Sequence, residues 1–253
     1  MNSSALTNEI EDNIVMSITG LCKSFGKNVV LNDFNLTLKS NQNIVVLGRS
    51  GSGKSVLIKC IIGLLKPDRG SISLFNQEVS TLGDEALDQL RAKLGFLFQS
   101  NALYDSMTVR ENLEFPLRRH WIKYNPTEVD VLIKEALTDV GLLDTIDMMP
   151  IALSGGMRKR IALARTLILK PSIILYDEPT TGLDSITSKE IIQLIISIKQ
   201  KYHTSALIIS HDMNCVRMAS DLVIILLDGK CYACDTFENL KNAEDQKIKQ
   251  FFE

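Results

Sequence analysis

Nothing in this sequence is apolar for long enough to cross a bilayer. Residues 222–227 (Leu-Val-Ile-Ile-Leu-Leu) are typical of its longest apolar runs, against the roughly 20 residues that a spanning helix needs. The first 13 residues are polar and acidic and lack the apolar centre of a secretory leader, so they read as a frayed tail. Both absences predict a cytosolic chain that needs a partner for any membrane role. An excess of one charge is also lacking. A net charge of -2 and a pI near 6.0 give no electrostatic case for nucleic acid as a partner. Cysteines are few, and their number, five, is odd, which argues against a disulfide framework. Cys231 and Cys234 have the spacing of a redox or zinc pair, but no second such pair and no nearby histidine completes a site. They follow the turn Asp228-Gly229-Lys230, so a structural role in a strand is expected. No internal repeat or low-complexity segment interrupts the chain.

What is present is an ordinary globular composition, 45% apolar and 23% charged, over 253 residues. That length allows one large domain or two small ones. Residues 14–18 and 29–38 read as edge strands, the second with a turn at Asn32-Asp33. Residues 43–47 (Asn-Ile-Val-Val-Leu) are a continuous apolar run ending at Gly48, as expected of a buried strand in a parallel sheet. A short helix over 54–62 stops at Gly63. A turn at 67–70 leads to a strand over 71–75, and another strand covers 95–98. From 101 to 170 the pattern is mainly helical. Val129, Leu132, Ile133, Ala136, Leu137 and Val140 form one helical stripe. Strands resume at 173–177, 206–210 and 222–227, with helices between them. The expected class is therefore α/β with a helical insertion.

The chemistry is concentrated in a few motifs. Gly48-Arg49-Ser50-Gly51-Ser52-Gly53-Lys54-Ser55 is a complete phosphate-binding loop in the required context, after a buried strand and before a helix. Its glycines let the backbone wrap phosphate oxygens, and successive N–H groups at a helix start face the anion. Lys54 brings a positive charge to the outer phosphates, and the Ser55 hydroxyl can ligate Mg²⁺. Val56 continues this binding segment. An apolar strand then delivers Asp177 and Glu178 to its C-terminal end, where open α/β sheets bind ligands. Asp177 suits the Mg²⁺ shell, and Glu178 suits a general base acting on water. Two adjacent carboxylates in one site call for a cation.

Taken in order, the phosphate loop, Gln99, Leu153-Ser154-Gly155-Gly156, Asp177-Glu178, Gly182-Leu183-Asp184 and His211 resemble the motif set of ATP-binding cassette (ABC) ATPases, over residues ~14–235. The resemblance implies a P-loop NTPase fold with a RecA-like α/β core, an antiparallel β subdomain and an inserted helical subdomain. Its expected limits are 14–240 for the whole domain. Residues 14–99 and 171–240 would form the core with the β subdomain, and 100–170 the helical part. Residues 1–13 and 241–253 would be tails, the second one helical. The resemblance also implies a homodimer closed on two ATP molecules, each held between one subunit's phosphate loop and the other's Ser154, Gly155 and Gly156. Phe25 would stack on adenine. Gln99 would reach Mg²⁺ and water while sensing a membrane permease. Asp184 would bridge the dimer interface, and His211 would contact the γ-phosphate. His120 and His203 have no such placement. Ser154 before two glycines at a helix start is itself a weak anion site without a lysine. The run Arg158-Lys159-Arg160 is either a solvated face or added positive potential there.

Where most such signatures continue with Gln, this one has Met157. That departure, with residues 98–109 and 177–188, resembles the ATPases of Mla/MCE-type phospholipid-trafficking systems. A permease, an MCE-type lipid-binding protein and a location on the cytoplasmic face of the inner membrane would follow. Met157 could equally be a core substitution. A small-solute importer and a non-transport assembly switch are the alternatives.

Overall fold

The structure is a computed structural model that describes residues 14–49, 51–118 and 123–252. Two sheets organise it. The larger has six strands in the order β10-β9-β3-β8-β7-β6. These are β3 (Asn43–Leu47), β6 (Leu94–Leu97), β7 (Ile173–Asp177), β8 (Ser205–Ile209), β9 (Leu222–Leu227) and β10 (Lys230–Asp235). All of its pairings are parallel except that of β10 with β9. The smaller sheet is antiparallel in the order β2-β1-β4-β5. Its strands are β1 (Ile14–Phe25), β2 (Asn28–Lys39), β4 (Arg69–Leu74) and β5 (Gln77–Glu78).

The parallel strands are apolar on both faces because both faces are covered. Ile44 and Val46 of β3 point into a core shared with the antiparallel sheet and with helix α1 (Lys54–Ile61). Val45 and Leu47 point into a second core. That core is closed by helices α5 (Gly155–Leu167), α6 (Ser185–Tyr202) and α7 (Met213–Ala219). Each fully buried Ile or Leu contributes about 1.5–3 kcal/mol, so the sheet is fixed from both sides. Helix α2 (Asp84–Ala92) buries Leu90 in the first core.

A third core lies between β6 and β7 in sequence. It joins α3 (Val109–Glu114), α4 (Pro126–Asp139) and α5. The stripe anticipated on α4 faces it: Ile133, Ala136, Leu137 and Val140 are buried there, with Val129 and Leu132 packed alongside. Capping boxes start α3 at Thr108 with Glu111, and α4 at Asn125 with Glu128. The short helices α8 (Phe237–Lys241) and α9 (Gln246–Lys249) return the chain to the second core through Leu240 and Ile248.

Two strand expectations need correction. Residues 14–18 are not at an edge: β1 lies between β2 and β4 and pairs with both. A weak alternation looked like an edge because partners distant in sequence leave no mark on the strand itself. Asn32-Asp33 does not end a strand either. β2 runs through it, with Asp33 at φ 56° and register shifts opposite it in β1, so the turn chemistry makes a bulge. The tail over residues 1–13 and His120 lie outside the described residues. His203 takes a left-handed conformation as the C-cap of α6. Cys231 is half-buried against the first core and Cys234 is exposed. Burial raises the Cys231 thiol pKa to about 11, which makes it a poor nucleophile. Among the described residues no helix is long and apolar enough to cross a membrane.

Candidate functional site

Four neighbouring parallel strands, β3, β8, β7 and β6, each end in a candidate motif. The phosphate loop follows β3, His211 follows β8, Asp177 closes β7 just before Glu178, and Gln99 follows β6. The strand order therefore gathers residues far apart in sequence at one edge of the sheet. They line a cleft of about 660 Å³ together with Phe25, Val30 and Ile209. The loop contributes Gly48, Arg49, Gly51, Gly53, Lys54, Ser55 and Val56 to it.

The loop turns into α1 at Gly53, whose φ of 104° is open to glycine and to few others. A Cβ there would also lie 2.9 Å from the Val30 carbonyl oxygen. Lys54 Nζ donates to the carbonyls of Gly48 (2.7 Å) and Arg49 (2.9 Å), which holds the ammonium over the loop. Burial lowers its pKa, and Glu178 and Asp177 oppose that shift. Ser52 N–H donates to Arg49 O at 3.1 Å, while its hydroxyl is buried without a partner. Ser52 does not line the cleft, and Ser50 lies outside the described residues. Phe25, at the end of β1, is 51% exposed at the cleft, with the Lys23 ammonium 5.7 Å from its ring centroid.

Asp177 is half-buried. Burial first, then the neighbouring Glu178, raises its pKa; Lys159, Lys54 and Lys59 pull it back. Glu178 is 9% exposed and sits at φ 50°, a conformation that costs a non-glycine residue on the order of 1 kcal/mol or more. Its backbone is fixed by donation from its N–H to Ile209 O at 2.9 Å. Its carboxylate accepts from Thr181 Oγ1 at 3.3 Å and lies 2.7 Å from His211 Nδ1.

The oxygen donors around Lys54 suit Mg²⁺. They are the Ser55 hydroxyl, the Gln99 amide and the Asp177 carboxylate, too few for a cage of their own and suited to an ion that keeps waters and substrate phosphates. Among the described residues no group of three His, Cys, Asp or Glu side chains offers a protein-only metal site.

Four expected binding residues are elsewhere. Ser154, Gly155, Gly156 and Asp184 do not line this cleft. Ser154 caps α5 by accepting from Met157 N–H at 3.2 Å. Gly156 lets that helix start lie against α6, since a Cβ there would meet Thr187 Cγ2 at 2.6 Å. Asp184 caps α6, accepting from the N–H groups of Ile186 and Thr187 at 3.0 Å and from Thr187 Oγ1 at 2.6 Å. These bonds hold its carboxyl below the usual carboxylate range. Met157 is half-buried against the third core.

Sequence reasoning missed Lys159. It is only 2% exposed, and its ammonium donates to the carbonyls of Phe98 (3.3 Å) and Gln99 (3.0 Å). The run around it is neither a solvated face nor free charge. Arg158 donates to Leu153 O at 2.8 Å, and Arg160 pairs with Glu190 at 2.5 Å.

Known proteins with this arrangement are numerous. A family model described as ABC transporter matches residues 31–181. The "probable ribonucleotide transport ATP-binding protein mkl" of Mycobacterium tuberculosis is 37% identical over 94% of this chain and 66% of its own length. The "intermembrane phospholipid transport system ATP-binding protein MlaF" of Haemophilus influenzae is 35% identical over 94% and 89%. The "methionine import ATP-binding protein MetN" of Campylobacter jejuni is 32% identical over 94% and 75%. This chain thus spans just under two thirds of the mycobacterial relative. Among solved structures, the dimeric ATP-binding cassette MJ0796 bound to ADP and Pi superposes with a TM-score of 0.78 at 31% identity, over 87% of this chain and 98% of that one. The structure of cbiO1 from Clostridium perfringens, part of an ABC transporter complex, superposes at 0.83 and 26% identity, over 94% of each. With its phosphate loop, acidic strand end and signature helix on this fold, the chain belongs to the ABC transporter family and has the fold of an ABC ATPase.

Proposed function

We propose that this ABC ATPase hydrolyses ATP between two copies of itself and drives a separate membrane permease, with phospholipid as the cargo. The observation that carries the dimeric reading is the split site. One cleft gathers the phosphate loop, the acidic pair, Gln99 and His211, while Ser154, Gly155 and Gly156 stand outside it with an anion-ready helix start. A second copy supplies that helix start to the open side of the bound phosphates. The dimeric MJ0796 cassettes support the same geometry.

The residues divide the work. The loop N–H groups and Lys54 hold the β- and γ-phosphates, and Phe25 stacks on the base. Ser55, Gln99 and Asp177 would hold Mg²⁺, which neutralises phosphate charge when bound. Glu178 accepts the proton of the attacking water or orients it, with its strained backbone fixed to β8. His211, whose Nδ1 lies 2.7 Å from the Glu178 carboxylate, reaches the γ-phosphate from the end of β8. Such catalysis is mostly positioning and electrostatics.

A partner segment has a place to dock. Phe98, Tyr104 and Phe115 stand with Arg91, Arg118 and Arg165 around a second cleft, of about 770 Å³. Phe98 lines this cleft and its neighbour Gln99 lines the first. A permease helix seated there would press on Phe98, the chain neighbour of the Gln99 that lines the nucleotide cleft. The phospholipid assignment is supported by Met157 after the signature and by the similarity to MlaF over nearly all of both chains. Solute import is the second reading, favoured by the similarity to MetN. Purification from native membranes with mass spectrometry of bound subunits and ligands tests both. Phospholipid with a permease and an MCE-type protein is the expected outcome. A soluble solute-binding protein or a bound ribonucleotide would overturn it.

A further inference from the structure

We propose that Lys159 is a positioning residue that ties the signature helix to Gln99, so that the loop offered to the partner's nucleotide and the glutamine at the subunit's own nucleotide move as one body. The inference rests on the role given above to Gln99. Burying an ammonium costs several kcal/mol unless its hydrogen bonds are met, and an apolar side chain of the same length would fill the space at no such cost. Here the cation lies within the helix that begins at Gly155 and reaches the two carbonyls at the end of β6. Asp177 and Glu178 are the charges that favour its ionised form against burial.

The same helix grips the rest of this segment. Arg165 donates to Asn101 O at 3.1 Å and Ala102 O at 2.8 Å, while the Thr166 hydroxyl lies nearer to Ala162 O of its own helix (2.9 Å) than to Phe96 O (3.2 Å). Asn101 and Ala102 are both held at positive φ, 62° and 51°. One helix therefore satisfies the carbonyls of residues 98, 99, 101 and 102, and Lys159 supplies the bond at Gln99, which lines the candidate site. Loss of that bond leaves residues 101 and 102 held by Arg165 but frees Gln99 itself to shift relative to the signature helix. A misplacement of about 1 Å is enough to cost on the order of 100-fold in turnover.

The test compares Lys159→Met and Lys159→Arg in the full chain. Nucleotide affinity is read with fluorescent ATP and turnover by phosphate release. Lys159→Met keeps nucleotide affinity within about twofold and loses kcat by about 10- to 100-fold. Lys159→Arg, which can still donate to both carbonyls, recovers most of the loss. A kcat within about twofold of the parent in Lys159→Met overturns the proposal. So does an affinity loss as large as the kcat loss, or a Lys159→Arg as impaired as Lys159→Met. Absence of a cooperative thermal transition in Lys159→Met also overturns it, in favour of a purely structural lysine. Gln99→Ala, run in parallel, separates the two ideas. Unchanged turnover there removes the role of Gln99, whereas a loss there with none in Lys159→Met removes only Lys159.

Discussion

Two glycine-led helix starts in this molecule look alike and are furnished differently. α1 begins after Gly53 and carries Lys54 and Ser55 into a cleft already lined by Asp177, Glu178, Gln99 and His211. α5 begins at Gly155, capped by Ser154, and that start faces neither a lysine of its own nor the acidic pair. Both can offer N–H groups and a positive dipole end to phosphate. Only the first is equipped to hold and activate a triphosphate. The difference is what the proposed dimer rests on: in that reading the signature start closes the partner's site, and each chain carries two half-sites.

The sharpest way to break this contrast is on the equipped side. Glu178→Gln is expected to keep ATP binding, to lower kcat by about 10²–10⁴-fold, and to accumulate an ATP-bound dimer. Phosphate release and equilibrium binding measure it, and unchanged turnover would remove Glu178 as the base. Gly53→Ala comes next. The added Cβ would meet the Val30 backbone 2.9 Å away at a φ of 104°, so nucleotide binding weakens at least tenfold and stability drops by about 1–3 kcal/mol. Titration with labelled nucleotide and a melting curve read both losses.

Much of the equipped half-site was legible in the sequence because each motif is local. The phosphate loop needs only its own glycines, and Asp177 and Glu178 need only the apolar strand before them. Their convergence follows from strand order, which motif spacing does not state. What stayed hidden depends on contacts distant in the chain. Lys159 looked like one charge in a basic run until β6 supplied its carbonyls. β1 looked like an edge until β4 arrived on its far side. The role of Asp184 as the N-cap of α6 was not legible either, because the cap depends on where the helix begins. Helix α2 left little signal because it buries only Leu90.

Smaller effects sharpen the comparison. Phe25→Ala removes a ring from the nucleotide side alone, so ATP affinity falls about three- to tenfold, the equivalent of about 0.5–1.5 kcal/mol of stacking, with kcat at saturation nearly unchanged. An equal loss of kcat would argue against stacking. Asp184→Ala acts on the signature side through the cap of α6. The Asp184 pKa is depressed in the folded chain, so its contribution is present above the ordinary value of about 3.9 and is lost as pH falls through the folded value. Melting curves should therefore show the variant less stable at neutral pH and equal to its parent in strong acid.

The claim that the two half-sites complete each other is tested most directly by Ser154→Arg in the Glu178→Gln background. Light scattering gives the mass with ATP present, and fluorescent nucleotide gives the affinity. Glu178→Gln alone should reach twice the 28.2 kDa of one chain. The double variant should bind ATP as tightly as a single subunit and stay at 28.2 kDa. A dimer that forms equally well with Arg at position 154 would contradict the shared site.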